Sequence, residues 1–272
     1  MNLIRLWYED GQEIDLSKYG LIGLRLIIPS PQFETYTEEL PGRPGTLKLG
    51  KDLRPRYLTA EFKIDSNDYT DSLLLRDELY SLFSKGNFLY IGEKMQPGKR
   101  WHVECVEQWN PERINLNTMR TTIPFVAESG MAESVGTTLD PFTFDAEVWQ
   151  VGQGLTSDDM KYVHNTNLFN IYNAGNETVN PRNMELLIEY KGASTNLSIK
   201  NETTGDEWIY TGTSNSGDSL KLDGIQMTKN NLSIFRNTNK KLISLVPGWN
   251  GFRLSGTVGS FEIKFSFRFH YL

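Results

Sequence analysis

From Tyr57 to Ile64 apolar and polar residues alternate strictly, with Leu58, Ala60, Phe62 and Ile64 on one face and Tyr57, Thr59, Glu61 and Lys63 on the other. This is the period of a strand with one buried face. The same period returns at the C-terminus, where Phe261, Ile263, Phe265, Phe267 and Phe269 interleave with Glu262, Lys264, Ser266, Arg268 and His270. A strand that brings so many aromatic side chains to one face predicts a core built upon it. Between residues 66 and 85 the period changes to a helical one: Leu75, Leu79, Leu82 and Phe83 follow the N-cap candidates Ser66, Asn67, Asp68 and Thr70. Gly86 stands where a left-handed C-terminal cap is wanted. Further strands are expected at 21–28 and 33–39, separated by Pro29-Ser30-Pro31, and at 87–92, 101–106 and 120–126. Together these elements predict an α+β N-terminal domain over residues 1–127, a small β-sheet or open barrel with one helix.

Residues 128–140 contain Gly130 and Gly136, several hydroxyl residues and almost no large apolar group, and Pro141 follows; the composition is that of a linker. Beyond it the pattern becomes all-β. Short strands are expected near Val148 and at 169–172, 185–190, 197–200, 208–211, 220–222, 232–236, 241–245, 252–255 and 260–269. Many short strands punctuated by Asn, Gly, Thr and Ser predict an antiparallel β-sandwich over residues 141–272.

Composition narrows the function classes. Of 272 residues, 38% are hydrophobic, 23% charged and 12% aromatic, as in ordinary folded proteins. The net charge of −6 opposes a surface made for phosphate backbones, which needs clustered Lys and Arg. Cys105 is the single cysteine, so no intramolecular disulfide is expected. Arg5, Glu9 and Asp10 interrupt the N-terminal segment, which therefore does not read as a signal peptide, and synthesis in a cytoplasm is expected. The longest apolar stretch, 21–28, is too short for a membrane span and contains Arg25, so no membrane insertion is expected.

Catalytic chemistry has little local signature. His102, His164 and His270 are far apart in sequence and form no metal-ligand spacing, and Cys105 lies in phase with Trp101 and Val103, as an inert buried thiol would. The adjacent carboxylates Glu38 with Glu39, Glu104 with Glu107 and Asp158 with Asp159 do not define the spatial separation a glycosidase needs. Gly152-Gln153-Gly154 lacks the third glycine of a dinucleotide loop. Asn176, Asn196, Asn201 and Asn231 fit the glycosylation pattern but are better explained as turn residues. Trp149, Trp208 and Trp249 could stack sugars or fill a core. No catalytic residue, metal ligand or cofactor is therefore assigned. Three classes stay in view: a structural hub, a carbohydrate-binding module serving host cell-wall recognition, and a cell-wall hydrolase.

Several motifs carry a resemblance. In the first half they are Ser30-Pro31-Gln32-Phe33-Glu34-Thr35-Tyr36 and Leu40-Pro41-Gly42-Arg43-Pro44-Gly45-Thr46-Leu47, followed by the alternating strand and helix. In the second half they are Phe169-Asn170-Ile171-Tyr172-Asn173-Ala174-Gly175-Asn176, Asn201-Glu202-Thr203-Thr204-Gly205-Asp206-Glu207-Trp208, Pro247-Gly248-Trp249-Asn250 and the terminal Phe267-Arg268-Phe269-His270-Tyr271-Leu272. In this order they resemble the siphophage distal tail protein family. The resemblance implies a non-enzymatic hub in the virion's distal tail. N-terminal domains would form a hexameric ring between the tail tube protein and the tail-associated protein. Galectin-like sandwiches would dock host-adsorption parts, a receptor-binding protein among them, while DNA passes unread through the lumen. Pro41, Gly42, Arg43, Pro44 and Gly45 make a projecting turn and a candidate inter-subunit loop. Pro44 departs from the permissive residue expected there, so its detailed conformation does not carry over. Under the same resemblance Arg54 and Arg56, with Arg43, are candidate interface charges, against the alternative of solvated arginines.

Overall fold

The structure, a computed structural model, describes residues 2–42, 44–83, 88–142, 148–150, 152, 153, 155 and 160–272. Two compact units divide between Glu133 and Ser134. The first carries β1 (Ile4–Tyr8), β2 (Leu21–Ile27), β3 (Phe33–Glu39), β4 (Thr46–Leu53), β5 (Arg56–Asp65), α1 (Tyr69–Phe83), β6 (Leu89–Glu93), β7 (Lys99–Val103), β8 (Glu112–Asn115) and β9 (Thr118–Ala127). The chain leaves it through the short β10 (Ala132–Ser134).

The alternating segment at 57–64 forms the middle of β5, within an antiparallel sheet ordered β2-β5-β9-β8. It pairs with β9 throughout, from Arg56 opposite Ala127 to Asp65 opposite Thr118. Leu58, Ala60, Phe62 and Ile64 are wholly buried, as the period of two requires. Helix α1 covers this face with Leu79 and Phe83, and the Phe83 ring meets Phe125 edge-on at 5.7 Å. Of the four N-cap candidates Asp68 caps the helix: its Oδ1 accepts from Asp71 N at 2.8 Å, while Asp71 Oδ2 accepts from Asn67 N at 2.8 Å. Gly86 lies outside the described residues.

Strands β1, β6 and β7 are neighbours in that order and bury Ile4, Leu6, Leu89, Ile91 and Val103. The sequence pattern did not reveal β1, because Arg5 interrupts its apolar residues. In the strand Arg5 simply points outward, donating through Nε and Nη2 to Glu13 at 2.9 and 2.7 Å.

The second unit contains β11 (Val163–His164), β12 (Leu168–Asn173), β13 (Leu186–Asn201), β14 (Glu207–Ser214), β15 (Ser219–Asp223), β16 (Gln226–Lys229), β17 (Leu232–Ser233), β18 (Gly248–Phe267) and β19 (His270–Tyr271). Two long strands replace the four short ones expected at 185–190, 197–200, 252–255 and 260–269: β13 has 16 residues and β18 has 20. They pair antiparallel, with register shifts between Gly192 and Ala193 and between Ser194 and Ser198. At Gly256, φ is +80° and a Cβ would stand 2.5 Å from the carbonyl oxygens of Thr195 and Asn196, so the strand turns its bulge only with glycine there. The first half of β13 takes β15 as its other neighbour and the second half takes β14. The expected strand at 232–236 is only β17 plus a short 3-10 turn at Phe235–Asn237, and 241–245 is no strand but a single bridge from Leu245 to Val179. Val148 sits in a bend.

The C-terminal aromatic stripe behaves as its period demands: Ile263, Phe265, Phe267 and Phe269 are all buried, and only Phe261 is partly open. Phe252 meets Phe265 edge-on at 4.8 Å and stacks on Phe169 at 5.6 Å.

The linker expected at 128–140 is corrected by the packing of its own residues. Ala132, Ser134 and Thr138 are buried. Ser134 N donates to Phe269 O at 2.8 Å, and the Thr138 hydroxyl donates to Phe265 O at 2.7 Å. A segment poor in apolar groups can still be fixed when its hydroxyls satisfy buried backbone groups.

Candidate functional site

Strands β3 and β4 form a sheet of two, paired from Phe33 opposite Leu53 to Glu39 opposite Thr46, with a slip between Tyr36 and Thr37. Both faces are largely open. Phe33, Tyr36, Leu40 and Leu49 are exposed, Leu49 to 61%. The hairpin's own contacts are local: Lys51 Nζ lies 3.6 Å over the Phe33 ring, and Tyr36 Oη donates to Glu34 Oε2 at 3.1 Å. An isolated two-stranded ribbon is marginal in water, and its open edges and apolar side chains are the features by which strands pair with other chains.

At the tip, Gly42 and Gly45 both have φ of +81°, the left-handed conformation that lets five residues containing two prolines close the turn. Arg43 lies outside the described residues. At the base, Arg54 pairs with Glu34, half-exposed, and its N donates to Gln32 O at 2.9 Å. Of the expected interface elements, the tip and Arg54 thus share one hairpin.

Arg56 does not join them. It is 5% exposed, with its guanidinium 4.8 Å over the Trp101 ring. Its Nε and Nη2 have no hydrogen-bond partner among the described residues, and burial pushes its pKa down. Reading Arg56 as a solvated or surface interface charge is corrected by its phase: it lies on the buried face of β5 with Leu58 and Ala60. The signal was present in the alternation, one step beyond where the apolar residues stop. Buried donors without partners cost about 1–3 kcal/mol, against roughly 0.5–2 kcal/mol from the cation–π contact. Arg56→Met is therefore expected to leave the first unit as stable or about 1–2 kcal/mol more stable. Urea denaturation of the full chain measures this; a loss exceeding about 1 kcal/mol would show that the guanidinium is satisfied.

The remaining candidates for chemistry are dispersed. His102 stacks on Phe88 and lies tilted against Tyr90, with ring centroids at 4.7 and 4.8 Å. His164 stacks on Phe169 at 4.3 Å, and burial lowers its pKa. The His270 carbonyl accepts from Asn176 N at 3.1 Å. Cys105 is half-buried rather than fully buried, and desolvation raises its thiol pKa, which opposes nucleophilic use. Among the described residues no three of His, Cys, Asp and Glu converge on a metal-sized site. Gly154, Asp158 and Asp159 lie outside the described residues. Trp149 and Trp208 are core residues, whereas Trp249 is exposed. Asn196 and Asn231 have positive φ, and Asn201 is fully buried, each in a turn or backbone role. No described helix is long and apolar enough to cross a membrane.

Comparison with known proteins gives this arrangement a context. Residues 9–127, the stretch that contains the hairpin, β5 and α1, match the family model of the phage tail protein RIFT-related domain. The whole chain is similar in structure to Dit of phage SPP1, described as a paradigm of the hub adsorption apparatus in phages infecting Gram-positive bacteria. The match has a TM-score of 0.71 at 13% identity and covers 98% of this chain and 100% of the other. Two structures of the phage p2 baseplate in its activated conformation, with Sr and with Ca, match at a TM-score of 0.45, with 10% and 9% identity, over 97% of this chain and 98% of theirs. No curated protein sequence matches the chain. Along its length, then, the chain shares the fold of the SPP1 Dit protein.

Proposed function

We propose that this protein is the structural hub of a siphophage distal tail, its first units closing into a ring, six to a turn, between the tail tube protein and the tail-associated protein. The observation that carries the reading is the open hairpin β3–β4 within a unit of the phage tail family. A head-to-tail contact repeated about an axis either closes or grows into a filament, and a hub around a DNA passage requires closure. DNA would cross the lumen without specific contacts, in keeping with the net charge of −6. The second unit, an antiparallel all-β assembly that we read as a galectin-like sandwich, is the docking module for a receptor-binding protein. The role is non-enzymatic and uses no cofactor.

Native mass spectrometry of the purified chain over a concentration series, alone and co-expressed with tail proteins, tests the ring. A closed hexamer is the expected species. Cryo-microscopy of assembled tails showing only single copies on the tail's exterior would overturn the hub role.

A further inference from the structure

On the outer face of the second unit, β12 and β18 place their outward residues side by side: Tyr172 opposite Trp249, and Asn170 opposite Gly251. The inward residues of the same strands, Ile171 and Phe252 among them, are buried, so alternation alone sends this set to solvent. Trp249 is 47% exposed. Its ring is not loose, since Tyr172 packs against it with centroids 4.8 Å apart. Two residues on, Gly251 contributes no side chain. A Cβ there would meet only Asn170 Oδ1 at 3.6 Å and Thr203 Oγ1 at 3.9 Å, so the floor is backbone ringed by polar oxygens. Two residues further, Arg253 Nε donates to Glu202 Oε1 at 2.6 Å. The Glu202 backbone is fixed beside this floor, because its N donates to Gly251 O at 2.8 Å.

At about 3.4 Å per residue, Trp249 and Arg253 stand roughly 13–14 Å apart along one face, with an open step midway. One end is an aromatic surface, whose negative π-face attracts polarised C–H groups. The other end holds a fixed set of donors and acceptors in the Arg253–Glu202 pair, and Asn170 adds both kinds at the side. A pyranose matches this division: one face presents C–H groups, while the rim carries adjacent hydroxyls that each donate and accept. A purely apolar partner would leave the ion pair and Asn170 without use, and a nucleic acid would meet Glu202 at the rim.

We infer that Trp249, Tyr172, Gly251, Asn170, Arg253 and Glu202 form a saccharide-binding platform that stacks a pyranose on Trp249 over the Gly251 floor. The platform is independent of ring assembly, so it can fail while the hub role holds, and the reverse. Only a few groups converge and the site is shallow, so it suits one or two rings of a repeating polymer rather than a deeply enclosed ligand.

Saturation-transfer NMR on the full chain tests it, with methyl glycosides of glucose, galactose, N-acetylglucosamine and rhamnose as probes. At least one is expected to receive saturation on ring C–H protons. The signal should fall at least about tenfold in Trp249→Ala, corresponding to roughly 1.4 kcal/mol of binding. Gly251→Leu, which fills the floor and leaves Trp249 in place, is expected to remove it too. Far-UV circular dichroism of both variants should match the wild type, since both positions face outward. Absence of saturation for all four glycosides overturns the inference and leaves this face to a protein partner. Saturation that persists in both variants places the sugar elsewhere and overturns it equally.

Discussion

Replacing Leu40–Gly45 by Asn-Gly is expected to abolish ring closure while leaving the monomer folded. Asn-Gly is the preferred two-residue turn for joining antiparallel strands, so β3 and β4 keep their pairing and only the projecting tip is lost. The tip and its flanks carry exposed Leu40 and, further down β4, Leu49. Exposed positions cost the free monomer within about 0.5 kcal/mol when changed. At an interface the same side chains are worth more: burying a leucine contributes about 1.5–3 kcal/mol. In a closed ring the loss recurs at every contact, so a defect of one or two kcal/mol per interface is multiplied around the circle. Leu49→Asp makes an independent test that leaves the turn intact and places a charge where apolar area would be covered. Native mass spectrometry and cryo-microscopy of co-expressed tail proteins should show rings for the wild type and lower species for both variants. Rings that persist at equal stability in both would exclude the hairpin as the closing element.

Phe265→Ala is expected to destabilise the second unit by about 3–5 kcal/mol, the range for deleting a buried aromatic ring. Phe265 is 0% exposed and lies between Phe252 at 4.8 Å and Phe169 at 5.8 Å, so its removal opens a cavity between rings fixed on β12 and β18. Those strands belong to one hydrogen-bonded sheet, which limits collapse around the void. Urea denaturation followed by tryptophan fluorescence reads the effect. Trp208 and Trp249 report on the second unit and Trp7 and Trp101 on the first, so separable transitions would show a shift in one and not the other. Leu232→Ala, at a position 74% exposed, is the control and should change stability by less than about 0.5 kcal/mol. A loss below about 1.5 kcal/mol at Phe265 would mean that the aromatic layer repacks freely.

Wherever local periodicity was strong, the chain could be read without its fold. The alternation at 57–64, the leucine spacing of α1 with Asp68 at its start, and the aromatic stripe ending at Phe269 all rest on contacts that repeat every two or every three to four residues, so each carries its own evidence. The tip at 41–45 was legible for a related reason, since Pro and Gly restrict or extend backbone angles wherever they occur. The motifs of the first half likewise pointed to the phage tail domain whose model matches residues 9–127 before any geometry was known. Tertiary structure decided the rest. The breaks expected between strands at 191–196 and 256–259 are bulges inside β13 and β18, because the partner strand, absent from local sequence, supplies hydrogen bonds on either side of the shift. An apparent linker becomes packed chain only where the last strand passes it, the Thr138 hydroxyl donating to Phe265 O and the Ser134 Oγ accepting from Phe269 N. Trp249 and Trp208 have the same composition value yet opposite fates, one open and one wholly buried, because they lie on opposite faces of one sheet. Arg56 is charged but sits on the inward phase of β5, and only the Trp101 ring above it shows what that phase costs. A period announces which residues share a face; the partner packed against that face determines whether it is core, hinge or binding surface.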